Sequence, residues 1–193
     1  MPAPLESGTF LIASLGLEEP TFARTVVVIL QHRPEELTLG VVINRPLGER
    51  EKLYPAEELH NLADGLEGAS GRMFYQGGPV EPRSLIFLHR VADLEDATPI
   101  CEGLYTGGDL DTLRGRTEFA TEEATCLRFY LGYASWAPGQ LKAEISLGAW
   151  ILSPGDSDQV FSEEPETVWH HVLHGMGGKY AAMSFIPEDP SLN

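Results

Sequence analysis

Three short segments constrain this chain more than anything else in it: residues 9–13 (TFLIA), 26–30 (VVVIL) and 39–43 (LGVVI) are almost unbroken runs of β-branched and large aliphatic residues. Each is too short for a free-standing helix, and none shows the polar alternation of a strand with one wet face. Continuous apolarity of this length belongs to strands covered on both sides. Such strands need packing layers above and below them, and 193 residues, 42% of them hydrophobic, supply that material within one domain.

The remaining elements follow from punctuation. The polar stretch 32–38, with Pro34, reads as a hairpin loop between the second and third runs. Pro55 and the stripe Leu59, Leu62, Leu66 predict a first helix, closed by glycines. Residues 72–76 and 85–89 read as strands on either side of the turn Gly77-Gly78-Pro79-Val80-Glu81-Pro82. Between Asp93 and Glu123 there are nine acidic residues against Arg114 and Arg116, and a solvated, loop-rich region around a short helix at 109–113 is expected there. Residues 125–131 predict a strand running into Gly132-Tyr133-Ala134-Ser135-Trp136, followed by a helix after Pro138, a strand at 150–152 and a turn at 154–158. A last helix should run from Pro165 to His174 with Gly175 as its cap, leaving a frayed tail at 187–193. Strands outnumber helices and do not alternate with them, so the expected class is α+β. The expected architecture is a single domain over residues 1–186, with a mixed, strongly curved sheet or partial barrel and two or three packed helices.

Charge narrows the function. Thirteen Lys plus Arg against 29 Asp plus Glu leave a net charge of −16. Duplex DNA binding draws its free energy largely from basic groups meeting phosphates, so direct contact with DNA is not expected, nor is an anionic membrane surface. The absence of a long apolar run or a signal-like start leads us to expect a cytoplasmic protein. Cys101 and Cys126 have neither CxxC nor metal spacing and read as buried free thiols, with a redox pair as the alternative.

Familiar chemistry is weakly represented. Glu166, His170 and His174 are spaced i, i+4, i+8, as metal ligands on one side of a helix would be. The helical wheel, however, places Val168, Trp169, Val172, Leu173 and Met176 on the apolar arc and the histidines opposite, so no metal or other cofactor is expected. Ser135 lacks the glycine frame of a nucleophile elbow and reads as a turn or capping hydroxyl. Gly175-Met-Gly-Gly-Lys179 follows a helix instead of opening one and is no phosphate loop. A hydrolase using His89 or His32 with a nearby acid is one remaining alternative. What stands out is a group of backbone-shaping residues with amide, guanidinium or aromatic neighbours at strand ends. If the sheet brings Asn44, Arg45, Gly77, Gly78, Tyr133, Trp136 and Gln140 together, they would line a cleft for a small ligand or a protein segment.

The same segments carry a resemblance. Leu11-Ile-Ala-Ser14, Phe22-Ala-Arg-Thr-Val-Val27, Gly40-Val-Val-Ile-Asn-Arg-Pro46, Gly77-Gly-Pro-Val80, Leu88-His89, Leu131-Gly-Tyr-Ala-Ser-Trp136, Gly139-Gln-Leu141 and Ala149-Trp150, with Phe161 and Trp169 beyond, resemble the AlgH/YqgE family of bacterial proteins. Gly16, Ser84, Lys142 and Gly148 depart from its usual residues. The resemblance implies one compact α+β domain with a curved sheet or partial barrel. It brings no established biochemical activity; some members are labelled transcriptional regulators. The leading expectation is therefore a noncatalytic regulatory or binding domain, with transcriptional regulator as the alternative.

Overall fold

The structure is a computed structural model that describes residues 3–47, 74–114 and 126–187. The helix expected at 55–66, residues 72–73 and the tail from 188 lie outside the described residues. Among the described residues nine strands form one sheet: β1 Thr9–Ala13, β2 Val26–His32, β3 Thr38–Val42, β4 Phe74–Gln76, β5 Val80–His89, β6 Ala97–Cys101, β7 Leu104–Gly107, β8 Leu127–Trp136 and β9 Trp150–Pro154. Their order is β6-β7-β5-β8-β3-β2-β1-β9, antiparallel throughout, with β4 added parallel to β8. The sheet is strongly curved, half of a barrel. The helices described are α1 Leu110–Arg114, α2 Gln140–Ser146, α3 Ser157–Val160, α4 Val168–Met176 and α5 Gly178–Ser184.

The apolar runs are covered on both faces, as their composition requires. Phe10, Ile12, Val26, Val28, Val41 and Ile43 point into one core together with Val168, Trp169 and Leu173 of α4. Their alternate neighbours Leu11, Ala13, Val27, Ile29 and Val42 point into a second core with Trp136, Trp150 and Leu141 of α2. A strand sends successive side chains to opposite faces, so β1 to β3 form a partition between two helical layers. A third core gathers Phe74, Leu127 and Phe129 against Leu113 of α1.

Several expectations are corrected. The region after Asp93 is not only loop: β6 and β7 form a hairpin there, turning at Glu102-Gly103. Its inward positions Ile100 and Leu104 are buried, while Thr98 and Pro99 are exposed, so a proline-bearing edge between acidic segments concealed a strand pair. The strand expected at 125–131 continues to Trp136, which places Ser135 opposite Leu39 in the sheet and not in a helix cap. It continues because Gly132, at φ 69, lies against the backbone of Gly78 and Val80. A Cβ on Gly132 or Gly78 would collide with the facing main chain, so glycine is required where these two strands touch. The final helix begins with a 3₁₀ turn at Pro165–Thr167, runs past Gly175 to Met176 and breaks at Gly177. A further helix, α5, then folds back on α4. The turn expected at 154–158 is cut short by α3.

Candidate functional site

Beside the first core lies a cavity of about 660 Å³ between the turn that precedes β2 and helix α4. Its near wall is built by backbone pairing. The N–H groups of Phe22 and Ala23 donate to the carbonyl of Glu19, and that of Thr25 to the carbonyl of Phe22, at 2.9, 2.8 and 3.1 Å. Closing this turn holds Arg24 at φ 54, a left-handed conformation that costs a non-glycine residue about 1 kcal/mol. The guanidinium is thereby set 4.7 Å over the Trp169 ring, and its Nη2 donates to the Ile186 carbonyl at 2.7 Å. Trp169 is anchored from behind, its Nε1–H donating to the Ala13 carbonyl at 2.9 Å.

Asn44 and Arg45 continue that wall from the end of β3. Asn44 is 7% exposed and replaces a missing ladder residue: its Oδ1 accepts the Val26 N–H at 2.8 Å and its Nδ2 donates to the Arg24 carbonyl at 3.0 Å. Arg45 donates from Nη2 to the Ala23 carbonyl at 3.0 Å, so it fastens the same turn. Both amide and guanidinium were expected at a site; here they hold the turn that aims Arg24.

The far wall is α4 and the segment after it. Exposed Glu166 and half-buried His170 line the cavity with buried Ser184. The rings of His170 and His174 lie parallel, 5.8 Å apart at 6°, and Phe185 stands edge-on to both at 5.4 and 5.5 Å. Glu166 and His170 thus share the cavity, while His174 is engaged in this ring stack. Among the described residues no group of three or more His, Cys, Asp or Glu side chains is placed to hold a metal ion.

The other expected site residues sit elsewhere. Gly77 and Gly78 join β4 to β5; the Gly77 N–H donates to the Leu131 carbonyl and its own carbonyl accepts the Val42 N–H, both at 2.8 Å. Tyr133 packs on the first core, whereas Trp136, three residues along the same strand, is buried in the second. Trp136 Nε1–H donates to Glu144 Oε2 at 2.9 Å, Trp150 Nε1–H donates to the same oxygen at 2.7 Å, and Gln140 Nε2 donates to Glu144 Oε1 at 2.9 Å. Of the seven residues, then, Asn44 and Arg45 line the cavity. The glycines make a strand crossing, and Trp136 and Gln140 close a polar clasp on the opposite face.

His89 is wholly buried. It shares Nε2 with the Gly107 carbonyl at 3.0 Å and accepts the Val91 N–H on Nδ1 at 3.2 Å, so both nitrogens are committed to the backbone. His32 pairs through Nδ1 with Thr38 Oγ1 at 2.8 Å. The thiols expected to be buried are half-buried, and no disulfide joins them; burial, with Asp156 and Glu102 nearby, pushes the Cys101 thiol up. Arg24 and Trp169, central to the cavity, appear in the sequence as part of a resembling segment and as an apolar helix position, and neither signal points to a site. The folding of the turn and of α4 brings them together.

A family model described as AlgH-like matches residues 10–181. The UPF0301 protein of Chlamydia abortus is 33% identical over 195 residues, covering 99% of this chain and 97% of that protein. The UPF0301 protein of Chlorobium luteolum is 35% identical over 190 residues, covering 98% and 95%. Among solved structures, the AlgH protein of Pseudomonas aeruginosa superposes with a TM-score of 0.64 at 27% identity over 98% of both chains. Protein DIP2367 of Corynebacterium diphtheriae superposes with 0.78 at 21% identity, over 96% of this chain and 95% of that one, a likeness of fold. With this sheet, this order of elements and a match over nearly its whole length, the chain belongs to the AlgH-like family.

Proposed function

We propose that this chain is a noncatalytic binding domain and that its guest is a small molecule received between the Arg24 turn and α4. The observation that carries this reading is the cavity itself. At about 660 Å³ it has the size of small-molecule sites, and it combines a buried aromatic residue, Trp169, with polar groups from two walls. Support also comes from the histidine best placed by sequence for acid–base work: His89 spends both nitrogens on the main chain. The charge balance of −16 favours a guest other than duplex DNA.

A cavity-blocking substitution tests this. Ala23 lines the opening and is half-buried, so Ala23→Phe should fill part of the space and leave the buried cores untouched. In a fragment screen followed by amide and indole NMR shifts, compounds that perturb the Trp169 indole of the native chain should lose at least tenfold in affinity in this variant. Undiminished binding, or hits that never touch the residues of this cavity, would refute the reading.

A further inference from the structure

We infer that the guest is a small organic oxyanion, a carboxylate or phosphate ester of metabolite size, held between the guanidinium groups of Arg24 and Arg45. This rests on the cavity being the binding site, and it adds the chemistry of what binds there. Both arginines line the cavity and are half-buried. Each donates once, from Nη2 to a backbone carbonyl, Arg24 to Ile186 and Arg45 to Ala23. A carbonyl fixes the plane of a guanidinium without neutralising it, and a guanidinium has five N–H donors, so most of the fork in each remains for an acceptor.

The sign of the surroundings strengthens the point. Carboxylates outnumber basic groups in this chain, 29 Asp plus Glu against 13 Lys plus Arg, and two arginines of the described residues meet one. Arg33 does so with Glu36 at 2.9 Å, and Arg90 with Asp158 at 2.7 Å. Among the described residues neither Arg24 nor Arg45 forms an ion pair, although Glu166 belongs to the same cavity. Among the described residues that line it, two cations therefore face one carboxylate across a space in which planar, charge-assisted recognition of an oxyanion is strong.

The remaining walls restrict the guest further. Arg24 already covers the Trp169 ring, so the guest meets the edge of the guanidinium and not the indole face. Glu166 can only accept hydrogen bonds while ionised, which suits a guest that carries a hydroxyl or amine as well as its anionic end. A cavity of about 660 Å³ is also larger than a bare phosphate fills.

The test titrates the full chain, in low-salt buffer free of competing anions, with glycerol 3-phosphate, citrate, inorganic phosphate and, as the neutral control, glycerol. The expected result is saturable shifts of the Trp169 indole and Ser184 amide with the organic anions and none with glycerol. Arg45→Gln should weaken binding at least tenfold, and Arg45→Lys, which keeps the charge and loses the fork, by an intermediate factor. Arg24→Gln should do the same as Arg45→Gln; because Arg24 also ties down Ile186 and Arg45 fastens the turn at Ala23, unfolding midpoints are measured for both, and the graded loss in Arg45→Lys decides if a glutamine variant is unfolded. Anion shifts that persist unchanged in folded Arg45→Gln would overturn the inference. So would a native chain that ignores all the anions while neutral fragments shift the same residues, an outcome that leaves the binding-domain reading standing. A cavity that answers to neither anions nor neutral fragments would remove both.

Discussion

Glu144 offers the sharpest test of how this fold is held. One oxygen of its carboxylate accepts the indole N–H groups of Trp136 and Trp150 at 2.9 and 2.7 Å, and both indoles belong to residues only 3% exposed. Glu144→Ala leaves two buried donors without an acceptor, at about 1–3 kcal/mol each. Alanine returns a few tenths through helix propensity, and the half-buried rim of α2 admits some water to the donors, so the expected net loss is about 2–4 kcal/mol. For a chain of this size each kcal/mol lowers the midpoint by about 2–4 °C, which gives a fall of about 5–15 °C. Glu144→Gln is the informative control. Because both indoles share one oxygen, a glutamine carbonyl in that place keeps both bonds in neutral form, and the cost should drop to about 1–2 kcal/mol. Urea and thermal unfolding followed by tryptophan emission measure both variants. A Glu144→Ala chain within 0.5 kcal/mol of the native one, or a glutamine variant less stable than the alanine one, would refute the reasoning.

Two other measurements follow from the cores. Tyr75 and Tyr130 are fully buried with rings 5.3 Å apart, and neither hydroxyl has a hydrogen-bond partner among the described residues, so Tyr130→Phe should leave stability unchanged or raise it by about 1 kcal/mol. Burial also pushes the Tyr130 phenol up, so its contribution is intact below the ordinary phenol value of about 10 and is lost as pH rises above it; the phenylalanine variant should flatten that alkaline decline in denaturant titrations. The Cys101 thiol, raised by burial and by Asp156 and Glu102, should react with iodoacetamide at pH 8 several-fold more slowly in the folded chain than in urea; equal rates would contradict its half-buried setting.

Where the fold was legible in the residues, the reason was hydrophobic pattern. The three apolar runs could satisfy themselves only between two layers, and the wheel of α4 correctly turned Val168, Trp169 and Leu173 inward. The hairpin of β6 and β7 escaped because acidic segments flank it and because its Pro99 belongs to an edge, where polar residues and strands coexist. At the candidate site, Asn44 and Arg45 were visible as polar residues ending an apolar strand. Trp136 and Tyr133 could not be sorted from sequence, since their faces depend on β8 continuing through Gly132 and alternating beyond it. Arg24 was not legible as a site residue for a related reason: its direction is set by a turn closed through Ala23 and Asn44, which its own segment does not reveal.

The pairing of β1 with β9, from Thr9 opposite Pro154 to Ala13 opposite Trp150, bears on how the chain is made. During translation β1 emerges well before β9, and one of its hydrogen-bonding edges has no companion until Pro154 has left the ribosome. While the residues between them are being made, the nascent protein therefore presents an apolar, unzipped margin of the kind that chaperones shield, and this side of the sheet is completed only when β9 arrives.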